Sequence, residues 1–157
     1  MEGSTESMLH HRPLSLVIIV VLLQLGCERA ETTENVYATL ADAVKAGAVG
    51  DDKWIPALLP PSAREIREVH NLDTNEVWLA FRLDSTQVSA VAGRCTKISM
   101  EKLAPVRKRP GKWWPEDLLR SGTKTRPATQ YQHYQCGTKS FLSIDAASNR
   151  AYYWTLS

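Results

Sequence analysis

The sequence predicts an α+β domain: a single antiparallel sheet of four to six strands with short helices packed on one face. Three observations point there. Val77, Leu79, Phe81 and Leu83 alternate with Trp78, Ala80 and Arg82, the period of a strand. From Gln130 onward, three β-rich runs are separated by short turn-forming stretches, the pattern of a meander. The helix-like segments are short, and two of them end at glycine, Gly47 and Gly93. A chain of 157 residues, 43% hydrophobic and 23% charged, has the length of one domain and a globular composition, which excludes disordered and fibrous classes. With 19 basic against 17 acidic residues the net charge is +2, too slight a basic excess to suggest a nucleic-acid partner.

Leu14–Gly26 is an apolar run too short to span a bilayer as a helix but suited to the core of a secretory signal. Gly26-Cys27 follows it and resembles a bacterial lipobox, in which the cysteine thiol takes a diacylglyceryl group and the chain is cut before it. Gln24 stands where such a motif has leucine. The reading is therefore a signal peptide over 1–26 and lipidation at Cys27, against an ordinary signal cleaved after Ala30 or an uncleaved anchor. Met1–Ser7 carries Glu2 and Glu6 and no basic residue, whereas Met8 opens a stretch containing Arg12, so translation is expected to start at Met8. Residues 27–35 then read as a lipid-anchored tether and 36–157 as the globular domain, with the membrane as one partner through the lipid.

Within the domain, Ala38–Gly47 is a helix capped by Thr39 and stopped by Gly47. Trp54–Ser62 is an apolar loop stiffened by Pro56, Pro60 and Pro61, with Trp54, Ile55, Leu58 and Leu59 packed under the sheet. Glu65–Asn71 and Glu76–Leu83 form a hairpin around a turn at Asp73–Glu76, and the Val77, Leu79, Phe81, Leu83 face is its core side. Ser85–Gly93 is a short helix capped by Asp84 or Ser85. Cys95–Met100 is a third strand. Trp114–Arg120 opens a short helix, with Pro115, Glu116 and Asp117 suited to its first turn. Gln130–Cys136, Lys139–Asp145 and Ala151–Leu156 complete the sheet, with the register around Phe141 left open by imperfect alternation.

The chain has three cysteines. With Cys27 lipidated in an oxidising compartment, Cys95 and Cys136 are left to form a disulfide, the alternative being two buried thiols. No metal site is expected, because His70 and His133 are isolated and no CxxC or HxxxH pair occurs. No cofactor motif and no catalytic residue stands out: there is no Gly-x-Ser-x-Gly elbow or phosphate-cradling glycine loop. His70 reads as a strand residue bonding within its own hairpin, and His133 as a sheet-face residue. Asp73–Glu76 could ligate calcium but equally supplies what a turn needs, and the turn reading is preferred. The most suggestive surface is Arg107, Lys108, Arg109 and Lys112 beside Trp113, where cations and an aromatic ring could meet an anionic partner. The competing reading is a solvated loop with its tryptophans turned inward.

Five motifs stand in order: Tyr37–Gly47 (YxxxxDAxxxG), Trp54–Ala63 (WIP…LPPSA), His70–Trp78 (HNLDTNEVW), Trp113–Leu118 (WWPxxL) and Ala151–Trp154 (AYYW). In this order the chain resembles small bacterial envelope lipoproteins described as YbbD-head-like, over most of residues 36–154. The resemblance implies an envelope lipoprotein and supplies no catalytic residues. The expected function is a membrane-anchored, non-enzymatic binding module for an unknown envelope protein or ligand. The alternative is a stress or inhibitor/immunity-type factor acting through the 107–114 loop, with a small hydrolase third.

Overall fold

Seven strands form one antiparallel sheet in the computed structural model, which describes residues 31–104, 106–119 and 130–157. They are β1 (Thr32–Thr39), β2 (Arg64–Asn71), β3 (Val77–Arg82), β4 (Thr96–Ile98), β5 (Tyr131–Gln135), β6 (Ser140–Asp145) and β7 (Arg150–Thr155). Their order is β1-β2-β3-β7-β6-β5-β4. Two short helices, α1 (Leu40–Lys45) and α2 (Val88–Ala92), accompany the sheet. The proposed signal, the Met8 start and lipidation at Cys27 lie outside the described residues.

The expectation of four to six strands is one strand short, and the missing strand is β1. Thr32–Asn35 belongs to its first half rather than to a tether. Its register with β2 runs from Thr32 opposite Asn71 to Thr39 opposite Arg64. An edge strand with most of its residues exposed needs no apolar alternation, so its composition looks like a linker.

α1 is shorter than the predicted helix because Thr39 is its cap. The Asp42 amide donates to Thr39 Oγ1, and the Asp42 carboxylate accepts from the Thr39 amide, a reciprocal capping box. Gly47, at φ 68°, takes the left-handed turn that stops the helix. Ser85–Gln87 is a 3-10 turn leading into α2, and the described residues of the predicted Trp114–Arg120 helix form a 3-10 turn over Glu116–Leu118.

The two helices pack on one face of the sheet, as expected, and the sheet is buried on both faces. On the helix face, Ile66, Leu79, Phe81, Leu142, Ile144 and Tyr153 pack with Ala43 of α1, Val91 of α2, and Ile55 and Leu59 of the proline-rich loop. Trp54 and Leu58 lie half-buried against them. On the opposite face, Val69, Trp78, Ala80, Phe141, Tyr152 and Trp154 pack under Val106, Trp114 and Leu118. Trp78 and Ala80, expected to face outward, are therefore core. Phe141 belongs to the second face and Leu142 to the first, so two-sided burial erased the alternation that the register would otherwise have shown.

Candidate binding groove

The segment over the second face is fixed at both ends. Val106 donates its amide to the Leu118 carbonyl at 3.3 Å, and the Trp154 indole donates to the Ala104 carbonyl at 2.9 Å. Trp114 is buried edge-on to Tyr152, Trp154 and Trp113, with centroids 5.5, 5.8 and 5.6 Å away. A turn closed by the Trp114 amide on the Gly111 carbonyl joins these anchors. Gly111 sits so close under the Trp113 indole that a Cβ there would collide with the ring. The chain between Val106 and Trp114 is thereby held out from the sheet as a loop.

Arg107, Lys108, Arg109 and Lys112 are all exposed on this loop. Trp113 is half-buried, with the Arg67 guanidinium 5.7 Å from its ring centroid, in cation–π geometry. Arg109 is paired with Glu116 at 2.7 Å. Two clefts lie between the loop and the strands. The first, about 180 Å³, lies among Thr32 and Glu34 of β1, Val69 and Asn71 of β2, Trp78 of β3, and Lys108–Pro110. The second, about 430 Å³, lies among Val36 and Ala38 of β1, Glu65 and Arg67 of β2, Ala80 of β3, and Trp113 and Arg150. They use successive positions on the same three strands and lie in line along β1, and the two in line are called the groove. Lys108 and Arg109 line the first cleft, and Trp113 lines the second. Arg107 and Lys112 line neither cleft.

The groove's far end is shaped by a bulge between Arg64 and Arg67, where Glu65 takes φ 50°. That conformation turns its carboxylate to Arg150, at 3.1 Å, and Arg82, at 3.5 Å. Glu34 pairs with Arg67 at 3.4 Å. All of these pairs are substantially exposed, so each adds little to stability. Their effect is to hold guanidinium groups in place along the groove.

Sequence reasoning missed a second constellation on the helix face. Glu68 is 1% exposed and His70 5% exposed, yet both are polar. Glu68 Oε1 lies 2.7 Å from His70 Nδ1, and Asn35 Nδ2 donates to Glu68 Oε2 at 2.7 Å. Trp54 stacks on the His70 ring, 4.1 Å between centroids and 3° between planes. His70 does bond within its hairpin, to Glu68 on the same strand. The signal was present: residues two apart in a strand share a face. His133 Nδ1 lies 2.8 Å from Ser143 Oγ, and burial pushes its pKa below the usual histidine value. Neither imidazole lines the groove.

The Asp73–Glu76 segment is a turn held by Asn71, whose Oδ1 accepts from the Asp73 and Thr74 amides at 2.9 Å each. Among the described residues, no group of three or more His, Cys, Asp or Glu side chains is placed to hold a metal ion. No helix among them is long and apolar enough to cross a membrane. Cys95 and Cys136 are joined in a disulfide that links the start of β4 to the end of β5.

The first three of the seven strands, with α1, lie in a stretch that matches a known family. Residues 31–82 match the YbbD head domain. The head match ends on the last residue of β3, and so takes in β1, α1, the proline-rich loop and the β2–β3 hairpin. Three of the five motifs lie inside it. Trp113–Leu118 and Ala151–Trp154 lie beyond, so the matched stretch is shorter than the motif order suggested. No curated protein and no solved structure matches the chain. Within the groove, the stretch that matches the YbbD head domain supplies β1, β2 and β3, while Lys108, Arg109, Trp113 and Arg150 come from the remainder of the chain.

Proposed function

We propose that the protein is an exported envelope lipoprotein, anchored by lipid at Cys27, and that it works without catalysis as a binding module whose groove takes an extended partner segment bearing anionic groups. The observation that carries the reading is the pair of clefts in line between β1 and the 107–113 loop. Lys108 and Arg109 stand at one end, and Trp113 with Arg67 at the other. Exposed guanidinium and ammonium groups favour carboxylate or phosphate, and the half-buried indole gives an apolar contact beside them. The Cys95–Cys136 disulfide fits an oxidising compartment.

Two measurements test this. Cys27→Ser releases the protein from the membrane fraction; unchanged fractionation overturns the anchor. Capture from the native envelope with the full-length protein recovers a partner, and Lys108→Glu with Arg109→Glu abolishes its recovery. Equal recovery by the charge-reversed protein overturns the groove as the binding surface.

A further inference from the structure

The proline-rich loop and the β2–β3 turn meet on the helix face of the sheet. Trp54 of the loop and Asn75 of the turn, with Tyr153 and Thr155 of β7, line a cleft of about 330 Å³. That volume falls within the range of small-molecule sites, about 300–1,000 Å³. Trp54 and Tyr153 belong to the helix-face core, so the cleft lies on the side away from the 107–113 loop.

The walls of the cleft are fixed by the fold. Gly50 donates its amide to the Ile55 carbonyl at 3.0 Å, and Ile55 donates its own to Ala48 at 3.1 Å. The turn that carries Asp51 and Lys53 is thereby closed at Ile55, which is fully buried. Gly50, at φ 151°, holds a conformation that residues with side chains rarely adopt. Across the cleft, Thr155 Oγ1 accepts from the Val77 amide at 2.9 Å and donates to the Asn75 carbonyl at 3.4 Å, which ties the β2–β3 turn to β7. The Trp54 indole is stacked on His70, and Glu68 holds His70 in turn. The buried Glu68–His70 pair is thus a buttress behind the indole.

Asp51, Lys53 and Asn75 are exposed lining residues, and Trp54 and Tyr153 supply aromatic walls. One carboxylate and one ammonium cancel, so this cleft, unlike the groove, has no excess charge to select a phosphate or a carboxylate. The carboxylate accepts two hydrogen bonds side by side, and the amide both accepts and donates. Planar groups of this kind match adjacent hydroxyls on a sugar ring. The C–H groups of such a ring, made electron-poor by their oxygens, match the negative face of an indole. We infer that the cleft is a site for an uncharged pyranose sugar, seated against Trp54 and hydrogen-bonded by Asp51 and Asn75. The inference stands apart from the groove and lipid-anchor readings.

The test uses the full-length protein, with maltotriose and triacetylchitotriose as probes at millimolar concentration. Saturation-transfer NMR, with the aromatic protons irradiated, is expected to label the C–H protons of at least one probe. Trp54→Ala abolishes the transfer and Asp51→Ala weakens it. Lys108→Glu with Arg109→Glu, on the other face, leaves it unchanged, so failure of the groove reading and failure of this one are told apart. No transfer to either probe overturns the inference, as does transfer that is unchanged in Trp54→Ala. Near-UV circular dichroism checks that each variant is folded. If Trp54→Ala fails to fold, Asp51→Ala decides alone, and unchanged transfer in that variant overturns the inference.

Discussion

Glu68 and His70 show what one buried polar contact contributes. Replacing Glu68 with alanine strips partners from both His70 and Asn35, and buried groups left unsatisfied cost about 1–3 kcal/mol each. Glu68→Ala is therefore expected to be among the most destabilising single changes in β2, as measured by urea denaturation. His133 is expected to make stability pH-dependent. Burial lowers its pKa in the folded state, so the unfolded chain takes up a proton first as pH falls below about 6.5. Its contribution is complete above that pH and is lost as pH falls toward the folded value. His133→Gln flattens this limb; a wild type and variant whose urea midpoints fall in parallel on acidification would refute the assignment. At Gly111, alanine forces the Trp113 ring to move, at a cost of about 1–3 kcal/mol. The expected signs are a lower thermal midpoint and altered tryptophan fluorescence. At this scale the sequence showed which residues were chemically interesting, but not their partners: Lys108 and Trp113 were visible, whereas Arg67, Glu34 and Glu65 join them only through strand register.

Among the elements, the hairpin and the C-terminal meander were legible because turns and β-rich runs are local signals. β1 was not, since an exposed strand is defined by its neighbour and its own composition is polar. The helix before the proline-rich loop was legible for the opposite reason: Thr39, Asp42 and Gly47 are local cap and stop residues. Thr39→Ala removes the cap and is expected to cost about 1 kcal/mol, measured as a shift in the denaturation midpoint. Trp114–Arg120 looked helical from Pro115 and its acidic first turn, yet its described residues form a 3-10 turn. Trp114 and Leu118 are both held inward on the sheet, and the chain turns back to bridge Val106.

For the molecule as a whole, two-sided burial was hidden by the same fact that makes the core large. Trp78, Ala80, Tyr152 and Trp154 share strands with helix-face residues, so both halves of each alternation are apolar or aromatic. The disulfide was inferable from cysteine count once Cys27 was set aside, and its closing contact is now placed across β4 and β5. Opening it frees a loop with a sequence separation of 41 residues. In the chain-entropy account, Cys95→Ser with Cys136→Ser costs about 4 kcal/mol. Denaturation of the double variant measures that cost, and peptide mapping of the natural protein is expected to show the two cysteines linked.

The central seam of the sheet joins β3 to β7, the last strand of the chain. Synthesis therefore delivers the head hairpin long before the partner that closes its inner edge. Until Arg150–Thr155 emerges, Leu79 and Phe81 present unpaired backbone. Termination before Arg150 would leave two half-sheets with nothing between them. Closure of the sheet is thus gated by β7, and a nascent chain of this kind needs shelter from aggregation until that strand is made.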